Sequence, residues 1–188
     1  FKPQKGHHYL VEATAAVVAQ FPDLHILLIG DGELRDDVYA QTLTLGLADH
    51  VHFLGTRSDV PDLLAASDCF VLSSLWEGLS MALVEAMASE LPVIATAVSG
   101  TNQVVIPDET GLLVPPGDAQ ALAAAMTQVL SHPVNAAAMG QRGRQRVERF
   151  FSARKQAQDH IALFEQALPR QDREGRAPMS KRDQEVSV

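Results

Sequence analysis

The sequence predicts an α/β fold, a doubly wound, Rossmann-like parallel sheet with helices on both of its faces. Three observations support this prediction. Short apolar runs alternate with segments of helical periodicity along most of the 188 residues, which is the pattern of strands buried on both faces. Turn residues such as Gly30-Asp31-Gly32 end the apolar runs. Hydrophobic residues make up 46% of the chain, enough to fill one core.

The predicted elements follow one another in a regular order along the chain. We expect strands at residues 24–29, 51–54, 68–73 and 92–96, with shorter ones at 104–106 and 112–114. We expect helices at residues 7–20, 33–45, 59–67, 80–89, 118–130, 134–149 and 152–168. Asp118 and Ser152 are the expected N-caps of two of these helices, since their side-chain oxygens can accept hydrogen bonds from first-turn amides.

Composition and charge limit the classes of function. Residues 1–168 are predicted to form one domain, and residues 169–188, which are polar with almost nothing to bury, a disordered tail. The net charge of −8 without a basic stripe argues against nucleic acid as a partner. The single cysteine, Cys69, excludes an internal disulfide, and its apolar neighbours predict a buried, unreactive thiol. No apolar run reaches the roughly 20 residues of a membrane helix, so a soluble, cytoplasmic domain is expected.

Ligands of an open α/β sheet bind at the carboxyl ends of its strands, which here selects the loops at residues 30–33, 55–58, 73–80 and 97–103. The third loop is the richest in suitable groups. Gly78 allows a ligand to approach the backbone closely. The free amides of Leu79, Ser80 and Met81 open a helix, which is a ready phosphate site.

Two carboxylates bracket the start of this helix. Glu85 lies about 10 Å along it, a distance that suits the span from the sugar end of a nucleotide diphospho-sugar to its ribose. Glu77 precedes the helix and would lie near the sugar. Spacing alone leaves a second interpretation open. In it, the helix dipole simply stabilises the Glu77 carboxylate at the helix start, and Glu85 faces solvent. The apolar neighbours of Glu85 favour the functional interpretation.

The segment from Glu77-Gly78 to Glu85-Ala86 resembles the E-x7-E motif of the GT-B retaining glycosyltransferases, in particular family 4, the glycosyl transferases group 1. The resemblance covers residues 1–168, and it implies the C-terminal half of a GT-B fold. Its specificity comes from the joint order of several further motifs. These are Lys5-Gly6, Ile29-Gly30-Asp31-Gly32-Glu33-Leu34, Phe53-Leu54-Gly55, Ser67-Asp68, Pro92-Val93-Ile94-Ala95-Thr96 and Thr110-Gly111-Leu112-Leu113-Val114.

The resemblance implies a role for each matching residue. Glu85 would hold the ribose, Glu77 the donor sugar's hydroxyls, and Lys5 the diphosphate. It makes Glu77 and Lys5 the catalytic residues and assigns donor binding to Glu85, Gly78, Leu79, Ser80, Arg57 and Gly30. An ammonium group with helix amides can stabilise the leaving diphosphate without a metal, so no metal or cofactor is expected. The expected donor is a nucleoside-diphosphate sugar, with UDP favoured and GDP or ADP left open.

The sequence departs from the family's pattern at several positions. The arginine that shares the diphosphate with Lys5 would fall just before Phe1. Ser99-Gly100 stands where the family usually has Gly-Gly, Gln103 where a carboxylate is common, and Glu90 where a glycine is frequent. The changes at Ser99 and Gln103 bear on loop geometry and on the choice of sugar rather than on the fold.

The resemblance also implies that the family's N-terminal, acceptor-binding domain lies outside this sequence. We therefore expect that the chain binds nucleotide, that it transfers little or no sugar alone, and that the parent enzyme provides any contact with a membrane. The alternatives are a non-catalytic nucleotide-sugar-binding or regulatory module, a GT-B nucleotide-sugar epimerase, and a flavodoxin-like regulatory domain. A dinucleotide site at residues 30–35 is disfavoured because Arg35 replaces the third glycine, and the seven histidines suggest no metal site.

Overall fold

The structure, a computed structural model, describes residues 1–167. Strands and helices alternate along this part of the chain after a 3-10 turn at Pro3–Lys5. The strands are β1 (Ile26–Ile29), β2 (Val51–Gly55), β3 (Phe70–Leu72), β4 (Val93–Thr96) and β5 (Leu112–Val114). The helices are α1 (His7–Val17), α2 (Arg35–Thr44), α3 (Val60–Ala65), α4 (Met81–Ala88), α5 (Ser99–Val104), α6 (Ala119–Ser131), α7 (Pro133–Phe150) and α8 (Ala153–Ala167).

Every strand pair of the described chain is parallel, as predicted for this fold class. Hydrogen bonds join the strands in two groups, β1 with β2 and β3-β4-β5 in that order. In the first group Ile26 lies opposite Val51, and in the second Phe70 lies opposite Val93. The connections are helical, as parallel strands require.

Helices cover both faces of the β3-β4-β5 sheet, as the side chains of β4 show. Successive side chains of a strand point to opposite faces, and Ile94 joins one hydrophobic cluster while Val93 and Ala95 join another. The first cluster contains side chains of α1 and α6, and the second those of α4 and α7. The burial of β4 on both faces explains why its sequence is apolar without alternation.

The predicted elements are confirmed with one exception, their ends shifting by up to three residues. The strand predicted at residues 104–106 is wrong, because Val104 is the last residue of α5, a helix that starts inside the predicted loop 97–103 and extends one residue beyond it. Thr101 starts this helix by accepting a hydrogen bond from the Val98 amide (3.0 Å), and its carbonyl accepts one from the Val105 amide (2.9 Å). A short apolar run is compatible with either a buried strand or a buried helix end.

The predicted caps are also confirmed. Asp118 accepts a hydrogen bond from the Ala121 amide (2.8 Å), and Ser152 accepts one from the Lys155 amide (3.3 Å).

Residues 1–151 form one compact unit, and α8 belongs to a second unit that begins at Ser152. The predicted tail, residues 169–188, lies outside the described residues. No helix in the described part of the chain is long and apolar enough to cross a membrane.

Candidate functional site

The candidate site forms where residues 4–6 meet the carboxyl end of β3. The Ser73 hydroxyl donates to the Lys5 carbonyl (2.9 Å), and the Leu75 amide donates to the Gln4 carbonyl (2.7 Å). Gly6 has a positive φ of 58°, and a Cβ there would lie 2.3 Å from the Ser73 carbonyl oxygen. Only glycine allows this close approach, so Gly6 fixes the backbone beside Lys5 against the loop that follows β3.

The two predicted catalytic residues, Lys5 and Glu77, are in direct contact. The Lys5 ammonium donates to Glu77 Oε1, and the same oxygen accepts from the Ser74 hydroxyl (2.9 Å). Gln4 Nε2 donates to the other oxygen, Oε2 (3.3 Å). The Glu77 side chain is 8% exposed and the Lys5 side chain 39%. These three donors hold the carboxylate in one orientation, while the half-exposed ammonium keeps donor capacity for a ligand.

A second backbone contact, which sequence reasoning missed, supports the loop from the other side. A Cβ on Gly100, near the start of α5, would lie 1.3 Å from the Gly78 carbonyl oxygen. Nothing lies within 4 Å of a Cβ built on Gly78 itself, so its other side is open. The contact with Gly100 thus fixes the position of the Gly78 backbone relative to α5, and the open side of Gly78 leaves room for a ligand. The Ser99-Gly100 pair was noted in the sequence, but its backbone partner could not be identified from it.

Helix α4 begins directly beyond this loop. Ser80 is its N-cap, and the Ser80 hydroxyl accepts from the Leu83 amide (3.4 Å). The amides of Met81 and Ala82 at the helix start have no intrahelical carbonyl to bind, so they are free to meet an anion. The Leu79 and Met81 side chains are exposed. Ser80 itself is buried.

Glu85 lies on the exposed side of α4. Within residues 1–167 its carboxylate makes no hydrogen bond or ion pair to another side chain. Glu85 and Ala82 line a cavity of about 1220 Å³, which Gln4, Lys5 and Gly30 also line. Lys5, Glu85 and Gly30 therefore line one cavity, and Glu77 contacts Lys5.

Arg57 is the predicted residue that stands apart. Its guanidinium binds the Asp59 carboxylate at the surface, with Nε 2.8 Å from Oδ1, and this hydrogen bond raises the pKa of Arg57. Arg57 does not line the cavity, and of the other predicted residues Glu77, Gly78, Leu79 and Ser80 do not line it either. Gly30 follows β1 with a φ of 117°, and its amide donates to the Gly55 carbonyl at the end of β2 (2.7 Å).

His7 is the strongly perturbed group near the site. Burial above all, together with the charges of the Phe1 amino group and of Lys5, lowers the pKa of His7 to about 4. His7 is therefore neutral at pH 7, and its ring stacks on Phe1 at 4.4 Å between centroids. Among residues 1–167, no three His, Cys, Asp or Glu side chains are arranged to hold a metal ion.

Residues 1–146 match the family model described as glycosyl transferases group 1. The chain belongs to this family. The lipopolysaccharide core biosynthesis glycosyltransferase LpsE of Rhizobium meliloti is 35% identical over 152 residues, which cover 81% of this chain and 44% of LpsE. The chain thus spans less than half the length of this relative.

Two solved structures have a fold similar to that of this chain. Anabaena HepE in complex with UDP-glucose is 29% identical and has a TM-score of 0.82, over 89% of this chain and 47% of HepE. The C-terminal domain of LpcC, a glycosyl transferase group 1 family protein of Francisella tularensis, is 26% identical and has a TM-score of 0.75. That match covers 81% of this chain and 83% of the LpcC domain. The predicted fold class and family are confirmed, and the roles of individual residues stay predictions.

Proposed function

We propose that this domain binds the nucleoside-diphosphate sugar of a retaining hexosyltransferase, most favourably a UDP-sugar. One observation carries the proposal: the oriented Lys5–Glu77 pair lies at the start of α4, and Glu85 of that helix faces a cavity that Lys5 also lines. Retention and the hexosyl class rest on the family resemblance. The complex of Anabaena HepE with UDP-glucose supports a donor of this chemical class.

Lys5 and the start of α4 supply positive potential for the diphosphate. The Lys5 ammonium has three donors, of which Glu77 engages one, and the amides of Met81 and Ala82 add two more. When the glycosidic bond of the donor breaks, negative charge grows on the distal phosphate. Fixed donors that already face this position stabilise the charge without reorganising, and they do so without a metal ion.

In this proposal Glu77 binds the donor sugar. A carboxylate offers about four lone-pair positions, and Lys5, Ser74 and Gln4 occupy three of them. One position is left for a hydroxyl of the donor sugar. Because the carboxylate is nearly buried and held from three sides, a sugar bound to it is oriented at little further entropic cost.

In this proposal Glu85 binds the ribose of the nucleoside. It lies four residues beyond Met81, about 6 Å further along the helix axis. A phosphate at the helix start would therefore place the adjoining ribose near Glu85. A carboxylate without a protein partner can accept hydrogen bonds from both ribose hydroxyls, as acidic residues do in dinucleotide sites.

The rest of the parent enzyme completes the reaction in this proposal. The chain spans 44% of the length of LpsE, so the acceptor site and further catalytic groups are assigned to the remaining length. The isolated chain is then a donor-binding unit with little or no transfer activity. The cytoplasmic location, and membrane contact through the rest of the parent enzyme, stay predictions.

The test is calorimetric titration of the chain with UDP, GDP, ADP and uridine, in EDTA. Glu85→Gln should weaken UDP and uridine alike by roughly 5- to 150-fold, since it removes a desolvated pair of ribose hydrogen bonds. Lys5→Met should weaken UDP but leave uridine unchanged. Glu12→Gln is the matched control, because Glu12 is an exposed glutamate of α1 that does not line the cavity.

Either of two results would overturn the proposal. One is UDP affinity that stays the same in both site variants. The other is no saturable binding of any nucleotide by the chain while circular dichroism shows that it is folded. Measurable sugar transfer by the isolated chain would contradict the assignment of the acceptor site to the rest of the enzyme.

A further inference from the structure

Arg146 of α7 binds the carboxyl end of helix α5. Its Nε donates to the Val104 carbonyl (2.6 Å), and its Nη2 donates to the Gln103 carbonyl (2.9 Å). The last carbonyls of a helix accept no hydrogen bond from within the helix, so they need other donors. A guanidinium supplies several donors from one rigid plane, and its charge strengthens each hydrogen bond. Arg146 therefore fixes the position of the end of α5.

The Arg146 guanidinium is itself held in place. Its Cζ lies 5.4 Å from the centroid of the Phe150 ring and 5.9 Å from that of Phe151, distances at which a cation is attracted to an aromatic face. Val147, the next residue of α7, is 3% exposed and belongs to the hydrophobic cluster that also contains Val104. Helix α7 is thus a packed support at this point, and Arg146 holds the end of α5 against it.

Helix α7 also packs on α4. The cluster that contains Val147 includes Leu83 and Met87 of the buried side of α4. A Cβ on Gly143 of α7 would lie 3.4 Å from the end of the Met87 side chain, so the two helices are in close contact. Helix α4 carries Glu85 and begins with the amides assigned to the diphosphate. One helix, α7, therefore contacts both α5 and the helix of the donor site.

At its other end α5 contacts the loop that leads into α4. A Cβ on Gly100 would lie 1.3 Å from the Gly78 carbonyl oxygen, so the two backbones touch there. Gly100 lies four residues before Val104, about 6 Å along the helix axis. A helix of six residues is shorter than two turns, so we expect it to move as one body. A displacement of α5 at Val104 would then also displace Gly78.

These contacts form a closed path from α4 through α7, Arg146 and α5 to the loop at residues 77–79. We propose that Arg146 is a positioning residue of the donor site, which sets the place of this loop relative to the start of α4. This role rests on the proposed function, in which the loop and the helix start hold the sugar and the diphosphate. Arg146 acts through α5 and does not line the cavity beside Lys5 and Glu85.

The position of the loop matters for one part of the donor only. The proposed function assigns residues 77–79 to the sugar and the distal phosphate, and Glu85 to the ribose. Loss of Arg146 should therefore weaken the binding of ligands that reach the loop and spare a ligand that binds only through its nucleoside. A residue that merely stabilises the fold would not distinguish these ligands.

The test compares Arg146→Met with Arg142→Met. Methionine keeps an unbranched apolar side chain but has no N–H donor. Arg142 is the matched control, because it lies one turn earlier on α7 and its Nε donates to the Glu109 carbonyl (2.7 Å), beyond the end of α5. Each substitution removes one positive charge and one hydrogen-bonded guanidinium. A difference between the two variants therefore cannot come from net charge.

The ligands are UDP-glucose, UDP and uridine, titrated by calorimetry below the melting transition. Arg146→Met should weaken UDP-glucose and UDP by roughly 3- to 30-fold, the range for residues that act through packed neighbours, and leave uridine unchanged. Arg142→Met should leave all three affinities unchanged. Arg146→Lys should lie between the original chain and Arg146→Met, because an ammonium keeps the charge but lacks the fork geometry of a guanidinium.

The position of the loop is also measured without ligand, from the NMR shifts of the Gly78 and Leu79 amides. These shifts should move in Arg146→Met and stay unchanged in Arg142→Met. If Arg146→Met does not fold, Arg146→Lys is compared with Arg142→Lys in the same two assays, with smaller effects of the same kind expected.

Two binding results would overturn the role of Arg146 while leaving the proposed function intact. One is equal UDP-glucose affinity in the original chain and in the Arg146 variant. The other is an equal loss of affinity for UDP-glucose and uridine. If the original chain binds none of the three ligands, the proposed function fails, and the amide shifts alone decide whether Arg146 positions the loop. Gly78 and Leu79 shifts that are the same in the Arg146 and Arg142 variants would contradict it.

Discussion

Gly100→Ala tests the contact that sets the position of the loop at residues 73–80, which follows β3. A Cβ on Gly100 would lie 1.3 Å from the Gly78 carbonyl oxygen and 2.3 Å from its carbon. Ordinary van der Waals contact requires about 2 Å more, and both groups are backbone, so no side chain can rotate away. Either α5 or the loop at residues 77–79 must move.

The size of the effect follows from two opposing terms. Alanine is favoured over glycine inside a helix by about 1 kcal/mol, which would stabilise α5. Overpacking a rigid contact costs typically about 1–3 kcal/mol and occasionally more. Because both clashing groups are backbone, we take the upper end of this cost, about 3 kcal/mol, so the free energy of unfolding should fall by about 2 kcal/mol net. For a chain of this size that lowers the melting temperature by roughly 4–8 °C.

Nucleotide affinity should fall as well, by roughly 10-fold or more, because binding sites tolerate displacements of only about 0.5 Å. Two further alanine variants serve as controls. Gly78→Ala enters open space and should leave the melting temperature unchanged within about 2 °C. Gly140→Ala places a Cβ 1.9 Å from the Glu90 carbonyl oxygen, outside the loop, so it should reduce stability but spare affinity.

The assays are thermal unfolding by circular dichroism and calorimetric titration with UDP below the melting transition. The combination of lower stability and lower affinity is expected for Gly100→Ala alone. A Gly100→Ala chain with the melting temperature and UDP affinity of the original would refute the reasoning, since α5 could not then be supporting the loop.

Two further predictions concern partly buried titratable groups. Because burial lowers the pKa of His7 from 6.5 to about 4, the unfolded chain takes up the proton first as pH falls, so stability declines between about pH 6.5 and 4. Urea unfolding at pH 7.5 and 5 should show a loss of about 1–2 kcal/mol beyond that of His7→Gln, and an equal loss in both chains would contradict this. Burial, with the Asp68 charge, raises the pKa of Cys69 to about 12, so iodoacetamide at pH 8 should alkylate the folded chain roughly 1000-fold more slowly than the chain in urea. Equal alkylation rates would show that the thiol is not desolvated.

The sequence was sufficient for most of the fold because its local patterns agree with its tertiary environment. Strand β4 is buried on both faces, so its apolar run could be identified directly. Asp118 and Ser152 cap their helices through local hydrogen bonds, which depend on neighbouring residues only. The α5 helix was missed because its apolar end, Val104, is buried by distant residues, and a run of three apolar residues does not distinguish helix from strand.

The candidate site was predictable where a motif lies within one segment, and not where distant segments meet. The loop and helix of residues 77–85 are contiguous, so the spacing of Glu77 and Glu85 could be worked out from helix geometry. The bonds from Lys5, Gln4 and Ser74 to Glu77 are different, because most of them connect residues more than 70 positions apart. Gly100 is a similar case, since the need for glycine comes from a carbonyl that belongs to another element.

The contact between Lys5 and Glu77 also bears on how the molecule reaches its native state. The two residues are 72 positions apart, and β1, β2, β3 and three helices lie between them. Contacts of such long range close late, after the entropy of the intervening chain has been lost. A nucleotide that needs both residues can bind only chains in which this closure is complete. Ligand concentration would then shift the population away from partly folded forms, so the cellular supply of donor would help to determine how long the domain survives proteolysis.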